Sequence, residues 1–472
     1  MSSLKPSSAE EATPKHVDLS QNYKNSTTPL IVVTMLFFMW GFITCMNDIL
    51  IPKLQQVFTL QLWQAMLIQT AFFGAYFIVS LVYFLLSATK GDPILKIGYK
   101  NGIIIGLLVA AAGCTLFYPA AVLHNYGFFL LALFVLASGI TVLQITANPY
   151  VAILGPPDTS SSRMNLSQAV NSFGTTIAPI IGGYLIFDQV ASTEIDNADS
   201  VKLPYLGLAA LLLLIAVLIK VARLPRLEGS GKIETGAGAV KHRHLVLGII
   251  CIFMYVGGEV SIGSAIINFI KLPQITGLSE SEAKHYLAFY WGGAMVGRFF
   301  GAIALSTIKL FGKFVFILFI SLITFLTVYL VYDLDQALII LGLIALNLAV
   351  LLIARFIPNR TVAFFAIAVI GLLLVGILAK GSLAMWAIIA IGLFNSVMFP
   401  TIFDLAIKGL GRNTSQGSSL LVMAIVGGAI IPPLQGLFAD VSGNLQLSFV
   451  VPMLCYAFIV YYGFVGYKIR KT

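Results

Sequence analysis

Long runs of apolar residues alternate along this chain with short segments that carry lysine, proline, glycine or acidic residues. An α-helix needs about 20 apolar residues to cross the hydrocarbon core of a bilayer, and the runs are of that order. The pattern therefore predicts an all-α polytopic membrane protein of about fourteen spans, six in the first half and eight in the second. The predicted spans are 29–52, 60–87, 101–122, 125–153, 165–187, 203–223, 245–271, 284–306, 314–331, 337–354, 361–379, 383–407, 417–437 and 446–467.

A polar segment at 224–244 divides this pattern into two halves. Its glycines and charged residues are typical of a solvated linker between two helical bundles. We therefore predict an amino-terminal six-helix bundle at 29–223 and a carboxy-terminal bundle at 245–467, with cytoplasmic tails at 1–28 and 468–472.

Each half has a lysine-rich, glycine-bearing turn after its second helix. The two turns read SATKGDPILKIGYKNG and STIKLFGKFVF. Two related bundles with a basic linker between them are typical of a transporter built from parallel repeats. The alternative is that any cytoplasmic hairpin collects lysine and glycine.

Composition and charge exclude a water-soluble globule. Of the 472 residues, 59% are hydrophobic and 10% are charged, against about 25% charged in ordinary soluble domains. The net charge is +9, and with the amino terminus inside, 22 basic residues fall in inward segments against five in outward segments. This asymmetry predicts cytoplasmic termini and makes nucleic-acid binding the weaker interpretation.

The residues that hold metals or carry out covalent catalysis are scattered along the chain. The four cysteines lie in apolar runs without metal or redox spacing, and the five histidines lie near span ends or in tails. We find no constellation that would indicate a metal site, a nucleophile or a phosphate-binding loop. We therefore expect no enzymatic activity and no cofactor.

Two carboxylates within spans are candidate functional groups, because an ionised side chain at the bilayer centre costs about 2.5–3.5 kcal/mol. Asp48, beside Asn47, lies toward the outer end of the first span, and is either an interfacial helix-end residue or a functional carboxylate. Glu259 lies deeper in its span, with Tyr255 one turn away on the same helix face. This position favours a functional role for Glu259.

Two further charged residues lie toward the inner ends of their spans. They are Arg298, in VGRFFG, and Asp404, in FPTIFDLAIKGLG. Such positions favour a structural ion pair or a contact of an inner gate over a role in substrate binding.

Four amides form two pairs, each on one helix face. Gln144 and Asn148 are four residues apart, and Gln168 and Asn171 are three apart. Side-chain amides both donate and accept hydrogen bonds, so they suit the hydroxyls of a sugar and carry no formal charge. The alternative is that they form hydrogen bonds between helices. The aromatic residues that would cover the apolar face of a sugar ring are Trp40, Tyr255, Tyr290 and Trp291.

Four segments carry a resemblance to a known family. They read WGFITCMNDILIPKLQQVF, LQITANPYVAILGP, RMNLSQAVNSFG and FPTIFDLAIKGLG. In residue identity, order and spacing they resemble the signature segments of the fucose, galactose and glucose proton-symporter family of the major facilitator superfamily. The resemblance covers the chain from about residue 30 to 467. It implies proton-coupled import of a hexose across a bacterial inner membrane, through alternating access of two rocking bundles.

The resemblance also distinguishes branches of that family. Asp48 matches the acidic residue that takes part in proton coupling in fucose symporters. Those proteins carry glutamate at the position of Gln144 and glutamine at the position of Glu259, so the carboxylate and the amide are exchanged here. This exchange favours the glucose and galactose branch, or an amino sugar, over L-fucose. Members of the superfamily usually have twelve spans, so we expect two additional helices near 337–379.

These observations define three sets of candidate residues. Cation coupling is assigned to Asp48 and Glu259, and gating or structural roles to Arg298 and Asp404. Substrate binding is assigned to Asn47, Gln144, Asn148, Gln168, Asn171, Tyr255 and Glu259.

Two alternatives to a proton-coupled sugar symporter stay open. A carboxylate flanked by Asn47 would coordinate Na⁺ as well as exchange a proton, so sodium coupling is the first. The second is a sugar sensor that does not translocate, although the linker of about twenty residues is too short for an output domain. The expected partners are a sugar, a coupling cation and the lipid bilayer, with no nucleic acid and a functional monomer.

Overall fold

The structure of the chain is a computed structural model that describes residues 27–60, 62–186, 198–222, 224–225 and 235–469. Nearly all of these residues are helical, and this part of the chain contains no strand. Thirteen of its helices are long and apolar enough to cross a membrane. One more, Ser160–Ile186, has 27 residues and a more polar sequence. The all-α prediction of about fourteen spans is confirmed, while most of the predicted tail at 1–28 and of the linker lies outside the described residues.

Within its described residues, the first half contains six long helices and one short one. Hydrocarbon offers no hydrogen-bond partner to a backbone, so each apolar run closes its own bonds as a helix. The helices are α1 (Thr27–Val57), α2 (Leu62–Lys90), the short α3 (Pro93–Ile97), α4 (Tyr99–Val122), α5 (Tyr126–Ile153), α6 (Ser160–Ile186) and α7 (Lys202–Val221).

The second half is less regular, because two of its spans are interrupted. The helices are α8 (Arg243–Ile270), α9 (Glu280–Ala304), α10 (Leu310–Val331), α11 (Leu334–Ile353), α12 (Pro358–Leu378), α13 (Gly381–Asn395), α14 (Met398–Ile407), α15 (Thr414–Met423), α16 (Gly427–Ser442) and α17 (Val450–Tyr461). A turn at 396–397 separates α13 from α14, and a 3₁₀ turn at Ala424–Val426 separates α15 from α16. At the first interruption the carbonyls of Asn395 and Ser396 accept hydrogen bonds from side chains instead of from the helix backbone.

The helices of the two halves pack in matching pairs. In the first half α4 packs on α5 and α7, α1 on α6, and α2 on α5. In the second half α12 packs on α13 and α17, α8 on α16, and α9 on α13. In this scheme α10 and α11 have no counterpart, and they are the least buried of the candidate spans. We therefore infer that the additional pair is Leu310–Ile353, one helix earlier than the expected 337–379, which takes in α12.

Glycines allow α4 and α5 to touch along their backbones. A methyl group at Gly113 would overlap the backbone of Leu136, and one at Gly139 would overlap the backbone of Ala110. Small residues are the usual means of close packing between helices in a membrane, where no hydrophobic effect draws helices together.

The same device joins α1 to α6. A methyl group at Gly41 would overlap the carbonyl oxygen of Asn171, and one at Gly174 would overlap that of Phe38. The side-chain Nδ2 of Asn171 adds a hydrogen bond of 2.9 Å to the carbonyl of Phe37. These two helices are therefore in contact over several turns.

The helix connections fall at two ends of the bundle. We call one of them the basic end, because it holds Lys241, Lys309, Arg355, Lys408 and Arg412. Its connections are 91–98, 154–159, 222–242, 305–309, 354–357 and 408–413, and those of the opposite end include 123–125, 271–279, 332–333, 379–380 and 443–446.

The glycine contact between α4 and α5 predicts the effect of a single methyl group. Gly113→Ala should lower the melting temperature of the purified protein, since overpacking costs about 1–3 kcal/mol and exceeds the helix-propensity gain of about 1 kcal/mol. The matched control is Gly207→Ala on α7, where an added methyl meets nothing within 4 Å. This control should leave the melting temperature unchanged or raise it. Equal melting temperatures for the two variants would contradict the close approach.

Candidate functional site

Glu259 lies within the second half as part of a buried hydrogen-bond network. The hydroxyl of Tyr255, one turn earlier on α8, donates to Glu259 Oε1 at 2.7 Å. The same hydroxyl lies 3.0 Å from the main-chain oxygen of Asn395. Asn395 is the last residue of α13, so the interruption of that span supplies a free carbonyl at this point.

Two more tyrosines and the amide of Asn395 close this network. The hydroxyl of Tyr290, on α9, donates to the main-chain oxygen of Glu259 at 3.0 Å. Asn395 Nδ2 donates to the Tyr290 hydroxyl at 2.9 Å, and Tyr456, on α17, donates to Asn395 Oδ1 at 2.7 Å. All of these side chains are buried. We call Tyr255, Glu259, Tyr290, Asn395 and Tyr456 the glutamate network.

Sequence reasoning missed Asn395 and Tyr456 as members of this network. Each is a polar residue in an otherwise apolar run, which is a signal for a buried hydrogen bond. That signal does not identify the partner, because four helices from different parts of the chain meet here.

Arg298 connects the glutamate network to the first half. Its guanidinium donates to the main-chain oxygen of Ser396 at 3.3 Å, just after the end of α13. It also donates to the hydroxyl of Ser172 and, at 3.4 Å, to the main-chain oxygen of Gln168, both on α6. The positive charge of the Arg298 guanidinium also interacts electrostatically with the Glu259 carboxyl. The structure therefore brings Arg298, Gln168 and Glu259 to one region between the halves.

Three of the four predicted amides are buried with unused hydrogen-bonding atoms. Within the described residues, Gln144 Oε1, both polar atoms of the Asn148 side chain and Gln168 Nε2 have no partner. These side chains are at most 3% exposed. An unsatisfied buried polar group costs about 1–3 kcal/mol, so three of them in two adjacent helices favour a site for a polar ligand. Asn171, by contrast, belongs to the α1–α6 contact.

Gln144 lies among aromatic and hydroxyl groups of the first half. The phenol of Tyr76 has the side chains of Trp40, Gln144 and Thr44 as its hydrogen-bonding neighbours. Trp40, one of the aromatic residues expected to cover a sugar ring, and Gln144, an amide expected to bind one, thus share the Tyr76 hydroxyl as a neighbour.

Asp404 occupies a separate position at the basic end, close to the start of α6. Its two carboxylate oxygens accept hydrogen bonds from Ser160 and Ser161. The charges of Lys408 and Arg163 also act on it. Asp404 therefore joins the two halves, and the structure gives Arg298 and Asp404 different partners.

Other contacts join the halves at the same end. The hydroxyl of Ser162 donates to the carbonyl of Ala302 at 2.5 Å. Gln416 Nε2 donates to Ser87 Oγ at 3.2 Å, and Gln416 Oε1 accepts from the main-chain N–H of Ala239 in the linker at 2.8 Å. The basic end is thus closed by hydrogen bonds between the halves.

Asn47 and Asp48 belong to α1, and their side chains lie outside the described part of the structure. Among the side chains that are described, no group of three or more His, Cys, Asp or Glu is placed to hold a metal ion.

Comparison with known proteins identifies the fold and its relatives. The model of the Major Facilitator Superfamily matches residues 30–433. The glucose/galactose transporter of Brucella abortus (strain 2308) is 46% identical over 462 residues, covering 96% of this chain and 98% of the relative. The L-fucose-proton symporter of Escherichia coli (strain K12) is 32% identical over 455 residues, covering 91% of each chain.

Solved structures agree with these sequence relatives. The crystal structure of the major facilitator transporter FucP in the outward conformation has a TM-score of 0.73 and 31% identity, over 93% of this chain and 98% of that one. The proton:xylose symporter XylE has a TM-score of 0.64 at 13% identity, over 94% of this chain and 96% of that one, which shows a shared fold.

The glutamate network predicts a stability effect for one hydroxyl group. Tyr255→Phe removes the donor to Glu259 and leaves a buried carboxyl short of one partner, which should cost about 1–3 kcal/mol. The expected result is a lower melting temperature in detergent. The control is Tyr329→Phe, because this ring stacks on Phe325 and is 48% exposed. If both substitutions shift the melting temperature equally, the hydroxyl of Tyr255 does not stabilise the network.

Proposed function

The chain belongs to the Major Facilitator Superfamily and is a membrane transporter rather than an enzyme, and on this premise we propose that it imports glucose or galactose together with a proton. The observation that carries the proposal is a set of buried, unsatisfied amides on α5 and α6, together with Arg298, which joins α6 to the region of the buried Glu259 carboxyl. The proposal draws further support from a 46% identical relative that is named a glucose/galactose transporter.

The unused atoms of the amides suit a neutral sugar. Gln144, Asn148 and Gln168 offer both donors and acceptors, and sugar hydroxyls serve as both. A hexose bound here would satisfy these groups while Trp40 covers an apolar ring face, which is the usual composition of a small-molecule site. A charged substrate would not need so many neutral amides.

Glu259 is proposed to respond to both the sugar and the cation. Its carboxyl lies between a phenol that donates to it and a guanidinium whose charge acts on it. Gain or loss of a proton changes both interactions. It therefore changes the strength of the hydrogen bonds that Arg298 donates to α6. Asp48 is proposed as the second coupling group, on the strength of its position in the N-D-I-L segment.

Alternating access requires the contacts at the basic end to open. The hydrogen bonds of Asp404, Ser162 and Gln416 close that end in the present structure. We assign the basic end to the cytoplasm of an inner membrane, because basic residues concentrate on the cytoplasmic side. In this assignment the protein is closed to the cytoplasm, with both termini inside, and Asp404 acts as an inner-gate contact.

The transport proposal is tested in proteoliposomes with glucose, galactose and L-fucose, under proton and sodium gradients imposed separately. We expect glucose or galactose to accumulate with the proton gradient. Accumulation with sodium alone would establish sodium coupling, and a sugar that binds without accumulating under either gradient would indicate a sensor.

Asp48→Asn should abolish gradient-driven accumulation while sugar exchange persists, because a neutral side chain holds one state of the coupling group. Asp440→Asn, which removes an exposed carboxylate on α16, is the control and should accumulate sugar normally. Normal accumulation by Asp48→Asn would make Asp48 an ordinary helix-end residue.

Glu259→Gln should weaken sugar transport at least about tenfold, which corresponds to about 1.4 kcal/mol. Hydrogen bonds to a charged group are worth about 1.5–3 kcal/mol, more than those to an amide. Gln144→Ala should weaken transport less or change the order of preferred sugars. The measurement is the apparent affinity and initial rate for several hexoses, normalised to protein in the membrane.

The double variant Gln144→Glu with Glu259→Gln tests whether both residues face one sugar. Substitutions of two residues that share a ligand have non-additive effects on the free energy, whereas the effects of substitutions at distant structural residues add. If Glu259→Gln alone transports every hexose like the parent, Glu259 does not contribute to the sugar site.

A further inference from the structure

Next to the additional helices α10 and α11 lie two adjoining cavities outside the proposed sugar pathway, one lined also by α9 and the other by α9 and α13. From their shape and lining we propose that they bind one phospholipid with an amine headgroup, its acyl chain in the apolar cavity and its headgroup in the polar one. The proposal does not depend on which sugar or cation the protein transports.

The first cavity is apolar and lies within the membrane-spanning region. It has a volume of about 250 Å³ and is lined by residues from all four helices, among them Gly292, Val296, Val328, Ile340 and Leu393. Ile323, also in its lining, is 49% exposed on the outer surface of α10. The cavity is therefore open toward the hydrocarbon of the bilayer, whose lipid chains are the apolar groups available to fill it.

The second cavity is more polar and lies at the opposite end of the bundle, where α9 begins and α10 ends. It has a volume of about 420 Å³, and its lining includes Glu282, His285 and Gln336. Phe289 and Tyr332 line both cavities, and their ring centroids are 4.8 Å apart. The two spaces thus adjoin at this pair of rings, and the rotamers of Phe289 and Tyr332 determine the passage between them.

The combined length of the two cavities along α9 matches the depth of one leaflet of a bilayer. Along α9, His285 in the polar cavity and Val296 in the apolar cavity are 11 residues apart, or about 16 Å at 1.5 Å per residue. Half of a hydrocarbon core of about 30 Å is close to this depth. A ligand that fills both cavities is therefore amphiphilic, with its polar part at the membrane surface.

The polar cavity carries a negative charge in a defined position. Glu282 forms a capping box with Ser279, whose main-chain N–H and hydroxyl donate to Glu282 Oε2 at 2.9 and 2.6 Å. The hydroxyl of Ser279 lowers the pKa of the Glu282 carboxyl, which is therefore ionised at neutral pH. An ionised carboxylate attracts an ammonium group, while His285 and Gln336 offer donors to a phosphate. This arrangement favours phosphatidylethanolamine over an anionic lipid.

The experiment measures lipid adducts of the full-length protein by native mass spectrometry, after titration in detergent with dioleoyl phosphatidylethanolamine or dioleoyl phosphatidylglycerol. We expect one tightly held phosphatidylethanolamine and at least fivefold less phosphatidylglycerol at the same concentration. Equal binding of the two lipids, or a dimer mass in place of the adduct, would overturn the proposal.

Two substitutions address the two cavities separately. Gly292→Leu places a side chain in the apolar cavity, since an added Cβ at Gly292 meets nothing within 4 Å. It should lower phosphatidylethanolamine binding at least fivefold. Glu282→Gln keeps a residue that is compatible with the capping box, and it should bring the two lipids to within twofold of each other.

The matched control is Gly371→Leu on α12, where an added Cβ also meets nothing within 4 Å. It should bind phosphatidylethanolamine like the parent. If Gly292→Leu fails to fold, Thr327→Phe, on the α10 side of the apolar cavity, replaces it with the same expected loss. Parental binding by a folded Gly292→Leu or Thr327→Phe variant would show that the lipid binds elsewhere.

Discussion

A buried carboxyl, that of Glu259, and a half-buried guanidinium, that of Arg298, lie within an otherwise apolar bundle, and this is the constraint on which the rest of the structure depends. Each ionised group costs about 2.5–3.5 kcal/mol near the bilayer centre unless partners compensate. Here the Glu259 carboxyl accepts from the Tyr255 hydroxyl, while Arg298 donates to the carbonyl of Ser396 in the second half and to a serine hydroxyl and a carbonyl of α6 in the first. The polar contacts of Arg298 thus join the region around Glu259 in the second half to α6 in the first half.

The interruption between α13 and α14 is a consequence of the same constraint. A continuous helix would use the carbonyls of Asn395 and Ser396 for its own hydrogen bonds. Because the helix ends at Asn395, one carbonyl faces Tyr255 and the next faces Arg298. Membrane proteins tolerate such irregular backbone only where protein or a polar cavity satisfies it.

Periodicity and charge were enough to predict the spans, because hydrocarbon leaves a backbone almost no choice but a helix. Helix packing was harder to predict from the sequence. The additional pair was expected at 337–379, yet α12 packs in the second half as α4 packs in the first half. Runs of leucine and isoleucine do not indicate which helices they contact. Gln144 and Glu259 could be selected as candidates because polar residues within spans are rare, and both side chains are buried in the structure. Asn395 and Tyr456 were missed since their roles depend on contacts between residues 61 positions apart in the sequence.

The contact between α1 and α6 has a mechanical consequence. Gly41 and Gly174 bring the two backbones together, and Asn171 fastens them with a side-chain bond. We infer that two helices joined in this way move as one unit. Ser160 lies at the end of α6 that contacts the other bundle, and Asp48 lies toward the opposite end of α1. We infer that a movement which separates Ser160 from Asp404 also shifts the backbone of α1, on which Asp48 lies, because the two helices are joined.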